Sequence, residues 1–205
     1  MKTLVPIEEY LVTETLDLDL AEMTMSCKRL HVHVTTNITA DQRASPQQVL
    51  DDNVYSRYNV FLFPFPGFHS LFREITRCLA AHRCCDASAA YYLQSWLNVY
   101  HEGETLSWHR HWPPEARSFH GFYCVDVEGS STEYRFPDRN SAVEVVGKDN
   151  TIVLGPADGD VHRTTPRQGE RPRITIAFDI VPQRFLEGLK AASKHWLPIV
   201  LPTGA

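Results

Sequence analysis

The second half of the chain consists of short apolar runs separated by turn residues, and this pattern constrains the fold more than any other feature. Gly, Pro, Asn and Asp stand between the runs from residue 94 to residue 181. Many short strands at such spacing predict an antiparallel sandwich or barrel. The candidate strands are residues 94–100, 106–111, 118–126, 132–136, 142–146, 151–154, 160–163 and 173–181.

The first 95 residues mix extended and helical patterns. Residues 30–34 alternate apolar and polar side chains, which predicts a half-buried strand. Apolar residues recur at spacings of three and four just past Pro66, as in an amphipathic helix. Residues 87–93 predict a shorter helix, and residues 184–194 predict a closing helix.

These patterns together predict a mainly β (α+β) fold, with an antiparallel β core and helices packed on one side. The length of 205 residues corresponds to about one domain. We divide that domain into supporting elements (residues 1–95), the β core (96–182) and a C-terminal helix with a tail (183–205).

Composition and charge exclude several classes of protein. Twenty basic and 25 acidic residues give a net charge of −5, and no Lys/Arg-rich block provides a footprint for nucleic acid. No apolar run approaches the ~20 residues of a membrane span, and the N-terminus lacks the pattern of a signal peptide. The cysteines are odd in number without zinc-finger spacing. We therefore expect a reduced, cytoplasmic protein without nucleic-acid or membrane partners.

Three histidines are the most informative polar residues. Residues i and i+2 of a strand point to the same face, so His109 and His111 would project together. His162 can reach the same point, because an antiparallel barrel brings distant strands side by side. Three neutral imidazoles suit iron, zinc, copper or nickel.

Two arginines near the end of the β region suggest an anion site. Arg171, Arg173 and Thr175 are spaced by two, so they share one face of the final strand. A guanidinium inside a small barrel needs an anionic partner, and a bound carboxylate provides one with bidentate geometry. The pattern is equally compatible with two surface arginines on an edge strand.

Several motifs follow one another in a specific order between about residues 58 and 182. They are Trp96-Leu-Asn98, Gly103, His109-x-His111, Gly121-Phe-Tyr123, Asp160-x-His162 with Pro166, and Arg173-Ile-Thr-Ile-Ala-Phe-Asp179. In this order they resemble the Fe(II)/2-oxoglutarate-dependent oxygenases, above all a phage and bacterial branch with a His-x-His motif.

The resemblance implies a double-stranded β-helix, a jelly-roll or cupin-like barrel supported by N-terminal helices. It implies Fe(II) as the metal, with His109 as first ligand and His162 as distal ligand. It further implies that 2-oxoglutarate is a cosubstrate held by Arg171 or Arg173, and the further candidates for contact with it are Tyr123 and Thr175.

His111 is the main departure from the family's pattern, since that position usually carries a carboxylate. An imidazole there removes one negative charge from the site. Either the three histidines hold the metal, or a carboxylate arrives from Glu115 or Asp160. No catalytic residue is expected beyond the metal centre.

The resemblance implies a dioxygenase that oxidises a small organic substrate with O2, usually by hydroxylation, and releases succinate and CO2. The expected partners are that substrate and O2, and a homodimer is left open.

A second resemblance, to cupins, gives an alternative function. Gly103, His109, His111 and Glu115 stand close to cupin spacing, and Gly159-x2-His162 resembles the second cupin motif. This interpretation predicts a dioxygenase or isomerase with a three-histidine, one-glutamate site and no 2-oxoglutarate. A third interpretation is a non-catalytic metal-binding or ligand-binding barrel. The oxygenases and cupins share a barrel, so a requirement for 2-oxoglutarate separates them.

Overall fold

The structure is a computed structural model that describes residues 5–6, 11–38, 57–137, 140–157, 159–188 and 195–201. Most of these residues lie in β-strands. The strands are β1 (Val5–Pro6), β2 (Val12–Thr15), β3 (Tyr91–Tyr100), β4 (Phe119–Asp126), β5 (Ser131–Arg135), β6 (Val143–Val146), β7 (Thr151–Pro156), β8 (Val161–Thr164), β9 (Arg173–Pro182) and β10 (Leu197–Ile199). The helices are α1 (Leu20–His33), α2 (Pro66–Ala81) and α3 (Gln183–Gly188).

The strands form two antiparallel sheets. The larger sheet has the order β1-β2-β7-β4-β9-β3-β10, and the smaller has the order β6-β5-β8. Strand β9 is an interior strand of the larger sheet, paired with β3 on one side and β4 on the other. This arrangement is the double-stranded β-helix, so the predicted mainly β fold class is confirmed. The division of the chain into three parts stays a prediction.

The central strands have two different buried faces. Along β9, Ile174, Ile176 and Phe178 point to one side and belong to the hydrophobic core that includes the helices. Their neighbours on β9 point to the opposite side, the interior of the barrel. This inner row is formed by Arg173, Thr175, Ala177 and Asp179. The strand is fully buried, because each of its faces is covered by a different layer.

Two helices cover the outer face of the larger sheet. Helix α1 begins at the N-cap Asp19, whose carboxylate accepts a hydrogen bond of 3.0 Å from the Glu22 amide. Helix α2 begins at Pro66, where a proline without an amide hydrogen is favourable. This start confirms the predicted amphipathic helix. No helix in the described part of the chain is both long and apolar enough to cross a membrane.

Three local predictions are wrong. Residues 30–33 end α1 and Val34 begins the π-helical segment Val34–Ile38, because the buried residues Met23, Cys27 and Leu30 continue a helical spacing. Residues 87–90 are turns, and the aromatic pair Tyr91 and Tyr92 already belongs to β3. Residues 106–111 form no strand beyond a single bridge between His109 and His162. The closing helix reaches Gly188, and the rest of that prediction, 189–194, lies outside the described residues.

Gly121 occupies a place in β4 where only glycine fits. A Cβ atom there would collide with the carbonyl oxygen of Val153 and with the ring of Phe178. Both obstacles are buried and one is backbone, so relief requires the strands to separate. We expect Gly121→Ala to lower the free energy of unfolding by about 3 kcal/mol, measured by chemical denaturation. Gly188→Ala is the matched control, since a Cβ at Gly188 meets nothing within 4 Å. Equal stability of the two variants would contradict the packing described for β4.

Candidate metal centre

The three predicted histidines meet at one end of the barrel. His109 and His162 lie opposite each other and exchange both backbone hydrogen bonds, at 3.0 and 2.9 Å. His111 follows two residues later, and its Nε2 lies 3.1 Å from the Nε2 of His109. One donor atom from each of the three side chains lies within 4.8 Å of the others. The structure therefore brings together the residues that the sequence predicted as metal ligands.

The outer ring nitrogens of these histidines have acceptor partners. His109 Nδ1 lies 2.8 Å from the carbonyl oxygen of Ser107, and His111 Nδ1 lies 2.7 Å from Asp179 Oδ1. Carbonyl and carboxylate oxygens only accept, so each Nδ1 must carry the hydrogen. The two Nε2 atoms then face each other at 3.1 Å with their lone pairs, unless a proton or a metal lies between them. Two imidazoles oriented in this way, together with that of His162, fit a divalent transition metal.

Burial keeps most of the cluster neutral, as metal ligation requires. Burial is the main cause that lowers the pKa of His109, and it places the pKa of His162 well below its usual range. His111 is the exception. Burial also acts to lower its pKa, but the charge of Asp179 and the hydrogen bond to it outweigh that effect and raise the pKa. His111 is therefore the imidazole that takes up a proton most readily when no metal is bound.

A second group of donors shares His162. Asp160 Oδ2 lies 3.4 Å from His162 Nδ1 and 3.4 Å from His120 Nε2. These three residues also have donor atoms within 4.8 Å of one another. Burial raises the pKa of Asp160, but the neighbouring histidines outweigh it and lower the pKa, so the carboxylate is ionised. Asp160 is the alternative carboxylate ligand that the sequence suggested.

Two polar residues near the histidines, His120 and Asp179, were not predicted as site residues from the sequence. His120 is a buried polar residue within the apolar strand β4, and that interruption was the available signal. Asp179 was noticed only as the end of a motif, although its Oδ2 accepts a hydrogen bond of 2.9 Å from Trp112 Nε1 and its Oδ1 contacts His111. The contact of Asp179 with His111 depends on the fold of the segment before β4.

The structure does not bring Glu115 to the histidines. Glu115 is exposed on the short 3-10 turn Pro114–Ala116 and belongs to neither donor cluster of the described chain. The cupin interpretation needs this residue as the fourth ligand. The geometry therefore gives that interpretation no support.

The two candidate arginines have different environments. The side chain of Arg171 is 61% exposed, and it forms ion pairs with Glu128 at 2.7 Å and with Asp126 at 3.4 Å. Arg173 is only 3% exposed and lies on the inner row of β9. Its Nη2 donates to Thr132 Oγ1 at 3.2 Å, and burial lowers its pKa. Arg171 is thus a surface arginine, which was one of the two interpretations that the sequence allowed.

Arg173 has no carboxylate partner within the described residues, and its Nε has no hydrogen-bond acceptor there. The aromatic rings of Tyr100 and Phe122 lie 5.7 and 5.9 Å from its guanidinium carbon. An uncompensated buried charge is costly, so this environment fits an anionic ligand. The residues present are therefore compatible with the carboxylate of 2-oxoglutarate.

The remaining two candidates lie on opposite faces of the larger sheet. Thr175 is on the inner row beside Arg173, and its buried hydroxyl has no hydrogen-bond partner among the described residues. Tyr123 points to the helix-covered face, where its hydroxyl donates to Asn150 Oδ1 at 2.7 Å. The sheet separates Tyr123 from the histidines. The structure therefore places Thr175 beside Arg173 and places Tyr123 away from it.

Comparison with known proteins identifies the fold. No family model matches the chain, and no curated protein matches it. Solved structures do. A non-heme monooxygenase in a "ThoJ-Ni complex" is 12% identical with a TM-score of 0.55, over 85% of this chain and 74% of that chain. A prolyl-4-hydroxylase of Pseudomonas putida is 10% identical with a TM-score of 0.54, over 85% of this chain and 87% of that chain.

A third similar structure has a different reaction. SnoK is described as a non-heme alpha-ketoglutarate-dependent carbocyclase from nogalamycin biosynthesis. It is 10% identical with a TM-score of 0.55, over 94% of this chain and 92% of that chain. The chain thus has the double-stranded β-helix fold of the Fe(II)/2-oxoglutarate-dependent oxygenases. At these identities the likeness concerns the fold, and the site itself must carry any statement about activity.

Proposed function

We propose that this protein is a non-haem Fe(II)/2-oxoglutarate-dependent dioxygenase that oxidises a small organic substrate. Hydroxylation is the outcome we propose first, although proteins of this fold carry out other reactions, such as that of the carbocyclase. The observation that supports the proposal is one barrel interior that combines a three-histidine cluster with a buried arginine that has no carboxylate partner among the described residues.

Each part of the interior has a separate task in this proposal. His109, His111 and His162 would hold the iron through neutral imidazole nitrogens. Arg173 would bind the carboxylate of 2-oxoglutarate that is remote from the metal, with the Thr175 hydroxyl as a neighbouring donor. When bound, iron and 2-oxoglutarate supply the oxidising chemistry, in which O2 is consumed and succinate and CO2 are released.

The walls of the barrel contribute by excluding water. Trp96 is buried and its ring centre lies 5.5 Å from that of His111. Tyr134 is fully buried, with its ring centre 5.3 Å from that of His162. Large apolar rings around the imidazoles lower the local dielectric, which strengthens the electrostatic contacts inside the site. They also shield the reacting centre from bulk water.

Anaerobic titration of the metal-free protein with Fe(II), followed by 2-oxoglutarate, tests this proposal. We expect one iron per chain and then a weak visible charge-transfer band that appears only with 2-oxoglutarate. Admission of O2 should convert 2-oxoglutarate to succinate and bleach the band. Glutarate is the control, because it can bind through Arg173 but lacks the keto group that chelates iron.

The outcomes separate the candidate functions. Iron binding without a band on addition of 2-oxoglutarate contradicts the oxygenase proposal and favours a cupin-type metalloenzyme. A protein that binds iron and 2-oxoglutarate but forms no succinate favours a non-catalytic barrel. A protein that binds no iron contradicts both metalloenzyme interpretations.

A further inference from the structure

Asp179 connects the barrel wall to the three-histidine cluster. It lies on the inner row of β9 and is 7% exposed. One carboxylate oxygen lies 2.7 Å from His111 Nδ1, and the other accepts from Trp112 Nε1 at 2.9 Å. Both contacts are with neighbouring residues of the segment between β3 and β4. Asp179 therefore orients the part of the chain that bears His111.

We propose that Asp179 is a positioning residue for the metal, which fixes the hydrogen of His111 on Nδ1 and supplies negative charge from outside the ligand set. This inference rests on the metal centre of the proposed function. The oxygenases that the sequence resembles usually have a carboxylate as a direct ligand where this chain has His111. Here a carboxylate instead contacts the far side of that imidazole, so part of the missing charge is restored without occupying a coordination position.

The hydrogen-bond pattern at this position needs two accepting oxygens. His111 Nδ1 and Trp112 Nε1 both donate, and Asp179 has one accepting oxygen for each. An asparagine of the same shape has only one accepting oxygen, and its amide nitrogen is a donor. When the asparagine oxygen accepts from the indole N–H, the amide nitrogen donates to His111 Nδ1. An Nδ1 that accepts requires the tautomer with its hydrogen on Nε2. That tautomer has no lone pair on Nε2, the nitrogen that faces the other histidines.

Asp160 contacts two other histidines, His120 and His162. Its Oδ2 lies 3.4 Å from each of two imidazole nitrogens, beyond the distances of strong charge-assisted hydrogen bonds. The contact of Asp179 at 2.7 Å is within that range. We therefore assign the positioning of His111 to Asp179.

Titration of the metal-free protein with Co²⁺ alone tests the inference without 2-oxoglutarate or turnover. We expect Asp179→Asn to weaken Co²⁺ binding by about 10- to 100-fold and to change the visible ligand-field bands. Trp112→Phe removes the competing indole N–H. In the double variant the asparagine oxygen is free to accept from His111, so we expect a partial recovery of affinity. A double-mutant cycle measures this coupling directly.

Asp149→Asn is the matched control. The Oδ1 atom of Asp149 accepts from the Val127 amide at 2.8 Å, so the substitution also removes a carboxylate contact, but on a different loop. We expect its Co²⁺ affinity to equal that of the wild type. Equal affinity and unchanged bands in Asp179→Asn would overturn the inference while leaving the metal centre intact. A wild-type protein that binds no Co²⁺ would overturn both.

A second measurement needs no variant. In the Zn²⁺-loaded wild type, long-range ¹H–¹⁵N correlation spectra assign the protonated nitrogen of each imidazole. We expect His111 to carry its hydrogen on Nδ1, shifted downfield by the contact with Asp179. A His111 Nδ1 without hydrogen would contradict the inference even if Asp179→Asn failed to fold.

Discussion

Replacement of His111 by alanine is expected to abolish stoichiometric binding of Fe(II), and the same result is expected for His109 and His162. Loss of a partner that only orients a ligand weakens metal binding by about 10- to 100-fold, so loss of the ligand itself should exceed about 100-fold. Iron content after anaerobic loading and desalting measures the effect. His101→Ala is the control, because His101 is exposed and belongs to neither donor cluster.

His120→Ala distinguishes the two donor clusters. If iron is held by His109, His111 and His162, the His120 variant keeps its iron and the His111 variant loses it. The opposite result would place the metal between His120, Asp160 and His162, the other cluster of the described chain. Unchanged iron content in His111→Ala would contradict the three-histidine site and favour two histidines with a carboxylate.

Substitution of Arg173 by alanine is expected to raise the apparent KM for 2-oxoglutarate by about 100-fold. A hydrogen bond to a charged group contributes about 1.5–3 kcal/mol, and each 1.4 kcal/mol corresponds to a factor of ten. A lysine at this position keeps the charge but lacks the two-pronged geometry, so an intermediate KM is expected. Initial rates of succinate formation over a range of 2-oxoglutarate concentrations measure the effect.

Arg171→Ala provides the comparison for Arg173. Its guanidinium is exposed and already paired with Glu128 and Asp126, so we expect a KM within a factor of two of the wild type by the usual weakness of surface ion pairs. Equal and negligible effects of the two substitutions would contradict the assignment of the anion pocket. A larger effect at Arg171 would transfer the role to the loop before β9.

Much of the β core could be predicted because its strands are separated by clear turn residues. Strand β9 was foreseen almost to its ends, since its apolar alternation is uninterrupted from Arg173 onward. The strands β1, β2 and β10 were missed. Each is short, and β2 and β10 pair with distant residues, as when Val12 pairs with Leu154 and Leu197 pairs with Leu93. The local sequence of a strand does not identify a pairing partner that is distant in the chain.

The candidate site was predictable to the extent that it depended on spacing and side-chain chemistry. His109 and His111 meet as expected, but not because they occupy a regular strand. The contact between His111 and Asp179 was not predictable, because it joins residues 68 positions apart across a loop. The sequence placed Arg171 and Arg173 on one face. Only the fold shows that Arg171 lies at the surface, paired with carboxylates, whereas Arg173 is enclosed.

The inner row of β9 fixes the spacing of residues across the site. Arg173 and Asp179 stand six residues apart on this row, and Asp179 contacts His111, so one strand sets the separation between the buried guanidinium and the histidines. A point substitution can disable either end alone. Insertion of a single residue between them would turn one end away from the interior, because side chains alternate along a strand. If Arg173 binds 2-oxoglutarate as proposed, a cosubstrate of different length would require exchange of side chains at fixed positions, and not a longer strand.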